Sequence, residues 1–312
     1  MRNAFAAEMT ALAAAEPRLV LLSGDIGNRL FDTFRERFPD RFFNCGVAEA
    51  NMVSVAAGLA SCGMLPVTYT IAAFSTIRCL EQIRVDVCYH EMPVIVVGVG
   101  GGLSYAELGG THHSCEDIAC LRALPNMAVV CPGDPVEVRL ALRAAVARRA
   151  PLYLRIGKKG EPAVHKGTPE FAIGKGIVVS EGTDVCLLST GNVLPVAVEA
   201  AEHLARRGRS ARVVSLHTVK PLDVELLAEC FAKFPVVLTV EEHSVIGGLG
   251  SAVAEWLTRG APQFGTLRVV AVPDAFVHEA GEQEHAREAL GITAEGLCET
   301  ALQTEAARAA AR

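Results

Sequence analysis

Aromatic side chains make up only 5% of this 312-residue chain, with a single tryptophan. Its ten cysteines include no CxxC pair, its basic residues are nowhere clustered, and its apolar runs are short. Each shortage excludes something. Cysteines without paired spacing offer no zinc ribbon and read as reduced thiols serving as small apolar side chains. The 29 lysines and arginines are scattered against 35 acids, for a net charge of -6, so nothing favours nucleic acid or an anionic membrane surface. The longest apolar run, MPVIVVGVGGGL, is too short and too rich in glycine to cross a bilayer. The opening MRNAFAAEMTALAAAEPRL lacks a signal peptide's apolar core and cleavage pattern, and reads as an amphipathic helix. SGDIG and GGLGSA look faintly like phosphate loops. Neither fits GxGxxG after a strand or GxxxxGK[ST], so both read as tight turns into helices. The expectation is a cytoplasmic protein with no nucleic-acid partner and no membrane association.

Apolar residues supply 51% of the chain, led by alanine, valine and leucine. This mix suits parallel sheets covered by helices better than a β-sandwich. Short β-branched runs alternate with helical patterns: strands at 19–25, 65–70, 93–99 and 151–156, helices at 48–63 and 76–90. Asp134 is a good N-cap, Pro135 fits the first helical position, and Glu137 completes a capping box. The stretch 157–176 is rich in Gly, Pro and Lys and lacks periodicity, which marks a linker. The α/β rhythm then resumes. We expect two α/β domains, 1–157 and 177–312, joined by a linker at 158–176. Each should be a mostly parallel sheet with helices on both faces.

Two stretches carry unusual chemistry. GVAEANM, residues 46–52, places Glu49 among small and apolar neighbours. Burial without a positive partner would raise its pKa, and a neutral carboxyl can donate a hydrogen bond to a base. The same string also fits a helix whose polar edge carries one exposed acid. In GVGGGLSYAELGGTHHSCED, residues 98–117, a strand runs into five glycines and then reaches Thr111, His112 and His113. Loops beyond the carboxyl ends of parallel strands are where ligands sit, and glycine lets a backbone approach a ligand closely. A structural loop or a metal-chelating pair remains open, although no third zinc ligand lies nearby.

Together these motifs are specific. The order FPDRFFNCGVAEANMVSVAAGLA, AAFSTIRCLEQIR, GGTHHSCEDIACLRALPNM and PGDP resembles the pyrimidine-binding domain of transketolases, especially the carboxyl-terminal polypeptide of split transketolases. SLHTVKPLD and EEHSVIGGLGSAVAEWL are similar to their third domain, so the resemblance spans about residues 2–300. It implies thiamine diphosphate as cofactor and transfer of a two-carbon ketol unit from a ketose donor to an aldehyde acceptor. By this resemblance Glu49 touches the aminopyrimidine ring nitrogen and shares a proton there, favouring the imino form that generates the thiazolium carbanion. Phe74 matches the aromatic that packs on the pyrimidine. His112 matches a histidine that assists proton transfer or contacts the substrate's hydroxyl or carbonyl. Lys158 falls near a phosphate-binding arginine of the family, and Arg2 matches another.

The family holds magnesium and diphosphate with a GDG motif, and no GDG occurs in these 312 residues. The resemblance therefore implies a separate amino-terminal transketolase subunit that carries Mg2+ or Ca2+, with an α2β2 assembly, a shared cofactor and no metal ligands in this chain. Two departures bear on substrate. The family's EDGPTH is ELGGTH here, so a sugar-reading acid becomes Leu108, and a histidine twelve residues before His112 becomes Gly100. Both changes put ordinary pentose phosphate exchange in doubt and leave sugar or keto substrates of other kinds open. The alternatives are the beta subunit of a 2-oxo acid dehydrogenase, a 1-deoxyxylulose-5-phosphate synthase-like enzyme, and a non-catalytic structural half.

Overall fold

The β-branched runs form strands, and the amphipathic stretches between them cover both sheet faces. The computed structural model describes residues 1–27, 29–158, 160–260, 264–278 and 281–311. Its strands are β1 (Leu19–Ser23), β2 (Phe42–Asn44), β3 (Leu65–Ile71), β4 (Ile95–Val99), β5 (Ala128–Val130) and β6 (Leu152–Ile156). They continue as β7 (Ile177–Ser180), β8 (Val185–Ser189), β9 (Ala211–Ser215), β10 (Thr218–Lys220), β11 (Val236–Ser244) and β12 (Thr266–Val272). One sheet runs β10-β5-β6-β4-β3-β1-β2 and the other β12-β11-β8-β9-β7. Neighbours are parallel except β10 against β5 and β7 against β9. Both domains are thus α/β, as the alternation of runs requires. Strand β10 comes from the later half of the chain yet completes the first sheet.

Every residue of β1, β3, β4 and β6 is buried, which is why these strands read as continuous apolar runs rather than alternating ones. Helices Arg2–Ala15 and Pro135–Arg148 cover one face of the first sheet, sending Phe5, Met9, Ala141 and Leu142 into a shared core with Leu19, Leu21 and Val67. Helix Glu49–Ser61 covers the other face through Met52, Val53 and Ala56. Among the described residues no helix is long and apolar enough to cross a membrane.

Two local expectations need correction. The helix expected at 76–90 is a 3-10 turn at Ile77–Cys79, a short α turn at Leu80–Gln82 and a π-helix at Ile83–Tyr89. β-branched Ile77, Ile83, Val85 and Val87 crowd its turns, and π geometry recurs beside functional sites. Asp134 caps its helix as expected, its Oδ1 accepting from the amides of Val136 and Glu137 at 2.8 Å each. Glu137, however, reaches back to the amide of Gly133 at 2.6 Å, because its other oxygen meets His165 Nε2 at 2.8 Å. The segment after β6 makes contacts of its own. The amides of Val164 and His165 donate to Asp134 Oδ2 at 2.9 and 3.0 Å, and Phe171 stacks on His217 with centroids 4.0 Å apart. Lys159 lies outside the described residues.

Candidate active site

The carboxyl ends of the first sheet's parallel strands converge on one region. Glu49 follows β2, Phe74 follows β3, the loop bearing His112 follows β4, and Lys158 follows β6. This is where open α/β sheets place ligands.

Glu49 is the first residue of its helix, where unsatisfied amides favour negative charge. It is 2% exposed. The sequence offered no positive partner, but Arg78 supplies one, its Nη1 donating to Oε2 at 2.8 Å. The Arg78 guanidinium also lies 4.2 Å from the Phe74 ring centroid, a cation–π distance. Among the described residues Oε1 accepts no hydrogen bond, so one oxygen stays available to a ring nitrogen beside the Phe74 face. This set fits an aminopyrimidine: one acid oxygen for its edge and one aromatic ring for its face.

Phe74 and His112 meet edge to face, with centroids 5.2 Å apart. His112 is half-buried, and its Nδ1 lies 2.9 Å from Thr111 Oγ1. Burial and then His113 push the imidazole pKa below its ordinary value, against an opposing pull from Glu107. The ring is therefore neutral at pH 7 and can accept a proton.

Beyond His112 the site becomes cationic. The Tyr105 ring lies 6.1 Å from that of His112, and Lys158 Nζ sits 4.5 Å from the Tyr105 centroid while paired with Glu107. Arg2 faces the same region, its charge acting on Tyr69 and Tyr105, and its buried Nε has no hydrogen-bond partner among the described residues. Gly100 has φ +74, and a Cβ there would fall 2.1 Å from Tyr105 Cε2. The space over Gly100 thus belongs to Tyr105, which leaves a phenol where the sequence had suggested only a loss of polarity. Leu108 is 49% exposed on the same loop.

The structure brings together Glu49, Phe74, His112 and Lys158, with Arg2 at the margin. The sequence reading missed Arg78 and Tyr105. Arg78 lies four residues beyond Phe74, a spacing that puts two side chains on one helical face. Tyr105 gave no signal, because its contact depends on how the glycines turn the loop. Among the described residues no group of three or more His, Cys, Asp or Glu is placed to hold a metal ion.

GGLGSA is the expected turn into helix Leu249–Leu257. A buried acid occupies the place a phosphate would take: Glu241 accepts from the amides of Leu249 and Gly250 at 2.6 and 2.8 Å.

Comparison with known proteins agrees with this geometry. Residues 1–161 match the transketolase pyrimidine-binding domain and residues 174–297 the transketolase C-terminal domain. The chain is 37% identical over 302 residues to a 6-deoxy-6-sulfo-D-fructose transketolase subunit of Clostridium sp. (strain MSTE9), covering 96% of this chain and 93% of that protein. It is 34% identical over 304 residues to an apulose-4-phosphate transketolase subunit of Phocaeicola vulgatus, covering 97% and 96%. A 1-deoxy-D-xylulose-5-phosphate synthase of Geobacter sulfurreducens is 36% identical over 305 residues, but the chain spans only 46% of it. Among solved structures, a split gene transketolase described as an inactive beta4 tetramer superposes with a TM-score of 0.89 at 36% identity, covering 97% of both chains. With both domains matched in order, and relatives of its own length named as transketolase subunits, this chain belongs to the transketolase family.

Proposed function

We propose that this chain is the carboxyl-terminal subunit of a split, thiamine diphosphate-dependent transketolase that moves a two-carbon ketol unit from a ketose donor to an aldehyde acceptor. The observation that carries this reading is the row Glu49, Phe74 and His112 at the open end of the first sheet, with Phe74 and His112 in ring contact. The pyrimidine-binding domain is taken as 1–157, the linker as 158–176 and the C-terminal domain as 177–312. The enzyme works in the reducing cytoplasm, where its ten free cysteines persist as thiols.

Bound thiamine diphosphate supplies the carbon nucleophile and the electron sink for breaking and remaking the carbon–carbon bond. Glu49 shares a proton with the pyrimidine nitrogen, and Phe74 fixes the ring face. His112, neutral at pH 7, takes the proton from the donor hydroxyl as the bond breaks and returns one to the new hydroxyl. Lys158 and Arg2 receive an anionic far end of the substrate. An amino-terminal partner subunit holds the diphosphate and its Mg2+ or Ca2+, giving an α2β2 enzyme with its active site at the interface. Support for the partner comes from relatives of equal length that are themselves named as subunits.

Purified alone, the chain should bind thiamine diphosphate weakly and show no ketol transfer. Robust activity of the lone polypeptide would overturn the partner requirement. With Leu108 and Gly100 in place of the family's polar sugar readers, the assembled enzyme should use xylulose 5-phosphate poorly and prefer a differently substituted ketose. Two relatives are named for other ketoses, 6-deoxy-6-sulfo-D-fructose and apulose 4-phosphate. A panel of donors and acceptors decides this, and highest efficiency on xylulose 5-phosphate with ribose 5-phosphate would reject the substrate reading.

A further inference from the structure

The loop that carries His112 is attached to both domains. Leu103, Ala106 and Cys115 pack into the core of the second sheet beside Val193, Leu194 and Val240. Hydrogen bonds hold the loop there as well. Leu103 N donates to Glu242 Oε2 at 3.0 Å, Asn192 Nδ2 to Ser104 Oγ at 2.9 Å, and Ser244 N to the Cys115 carbonyl at 2.7 Å. Gly102 and Ser114 pair with each other at 2.9 and 3.0 Å, which closes the neck of the loop and leaves 105–112 as a tongue. Buried Arg155 pins the same neck, donating to the carbonyls of Ser114 and Glu242 at 2.9 Å each.

Glu242 is the centre of this attachment. It is fully buried, and its oxygens also take Gln283 Nε2 at 2.9 Å and the Arg287 guanidinium. Arg287 in turn donates to the Asn192 carbonyl at 3.2 Å. Gly102 makes the contact possible, since a Cβ there would lie 2.6 Å from that of Glu242. A buried carboxylate is costly to desolvate unless its hydrogen bonds are complete, and here one of those bonds belongs to the histidine loop. Displacement of a reacting group by about 1 Å can lower a rate about a hundredfold.

We infer that Glu242, in the C-terminal domain, is a positioning residue for His112: it sets the stance of the tongue through its bond to Leu103. This rests on the reading of His112 as catalytic. In the assembled enzyme, Glu242→Ala should lower kcat by tenfold to about a hundredfold, with substrate KM and thiamine diphosphate affinity near wild type. In the full chain alone, amide exchange over 103–114 should quicken roughly tenfold while β8 and β9 stay protected. Glu242→Gln keeps an acceptor for Leu103 and should restore most of both. Should Glu242→Ala fail to fold, Ser104→Ala removes the Asn192 pin without stripping a buried charge and should show the same pattern on a smaller scale. Unchanged kcat beside faster loop exchange would overturn the inference, as would equal losses in the Ala and Gln variants or deprotection spread across the second sheet. The exchange arm needs neither partner nor substrate. An inactive wild-type complex would therefore count against the proposed reaction, while exchange would still decide whether Glu242 holds the loop that carries His112.

Discussion

The two sheets end alike, in loops over the carboxyl ends of parallel strands, but their acids serve opposite ends. In the first sheet Glu49 keeps one oxygen without a hydrogen bond among the described residues, with an aromatic ring and a neutral histidine close by. In the second, Glu241 is fully engaged at a helix N-terminus and Glu242 by Leu103, Gln283 and Arg287. An acid with unfilled hydrogen-bonding capacity can meet a ligand; a saturated one can only hold structure. One architecture therefore yields an end open to a ligand and a supporting end, and the loop carrying His112 joins them.

The largest break in that contrast should come from Glu49→Gln. The amide is close in size but cannot share the proton, so turnover in the assembled complex should fall on the order of a hundredfold or more. Circular dichroism should show the fold intact, and near-normal turnover would make Glu49 a structural acid after all. Phe74→Ala comes next. Lost burial and stacking should weaken cofactor binding by roughly 1–3 kcal/mol in titrations, with a smaller effect on the saturated rate. Leu108→Asp should then sharpen the substrate side, raising relative efficiency on a polyhydroxylated ketose phosphate by about tenfold, the scale of one polar contact. Unchanged ratios in competition assays would remove Leu108 from the specificity determinants.

The last break in the contrast belongs to the supporting end and is read as stability, not turnover. Burial pushes the Glu241 pKa up to about 7 from 4.5. The folded chain then holds a proton that the unfolded chain has released, so this residue's contribution to stability falls as pH rises from about 4.5 to 7. Glu241→Gln does not titrate. Its advantage over wild type should grow through that window to about 3 kcal/mol and level off above it, as read from paired melting curves. His243, pushed down to about 4 by burial, acts in the opposite sense between about 4 and its ordinary value, and cancels in the difference. A pH-independent difference would place the Glu241 carboxyl in an ordinary environment.

Much of this was legible because it is local. β1, β4 and β6 lie within the runs that marked them, and Asp134 with Pro135 begins a helix where capping chemistry requires one. Glu49, Phe74 and His112 could be singled out because each sits in a short motif at the end of an element. What stayed hidden depends on contacts between distant segments. Arg78 reaches Glu49 across 29 residues and Leu103 reaches Glu242 across 139, and no periodicity encodes either. The π-helix at Ile83–Tyr89 escaped for another reason: its apolar spacing also satisfies an ordinary helix.

Strand β10 carries a consequence for how this protein can be divided. Thr218 and Lys220 pair with Val130 and Val129, so the later half of the chain covers the outer rim of β5. A fragment ending before β7 would contain every side chain assigned to the proposed site but would leave that rim bare. Unpaired amides and carbonyls along such a border are a template for another molecule's strand. The first domain excised alone is thus an aggregation hazard, and soluble preparations should require the chain through at least Lys220.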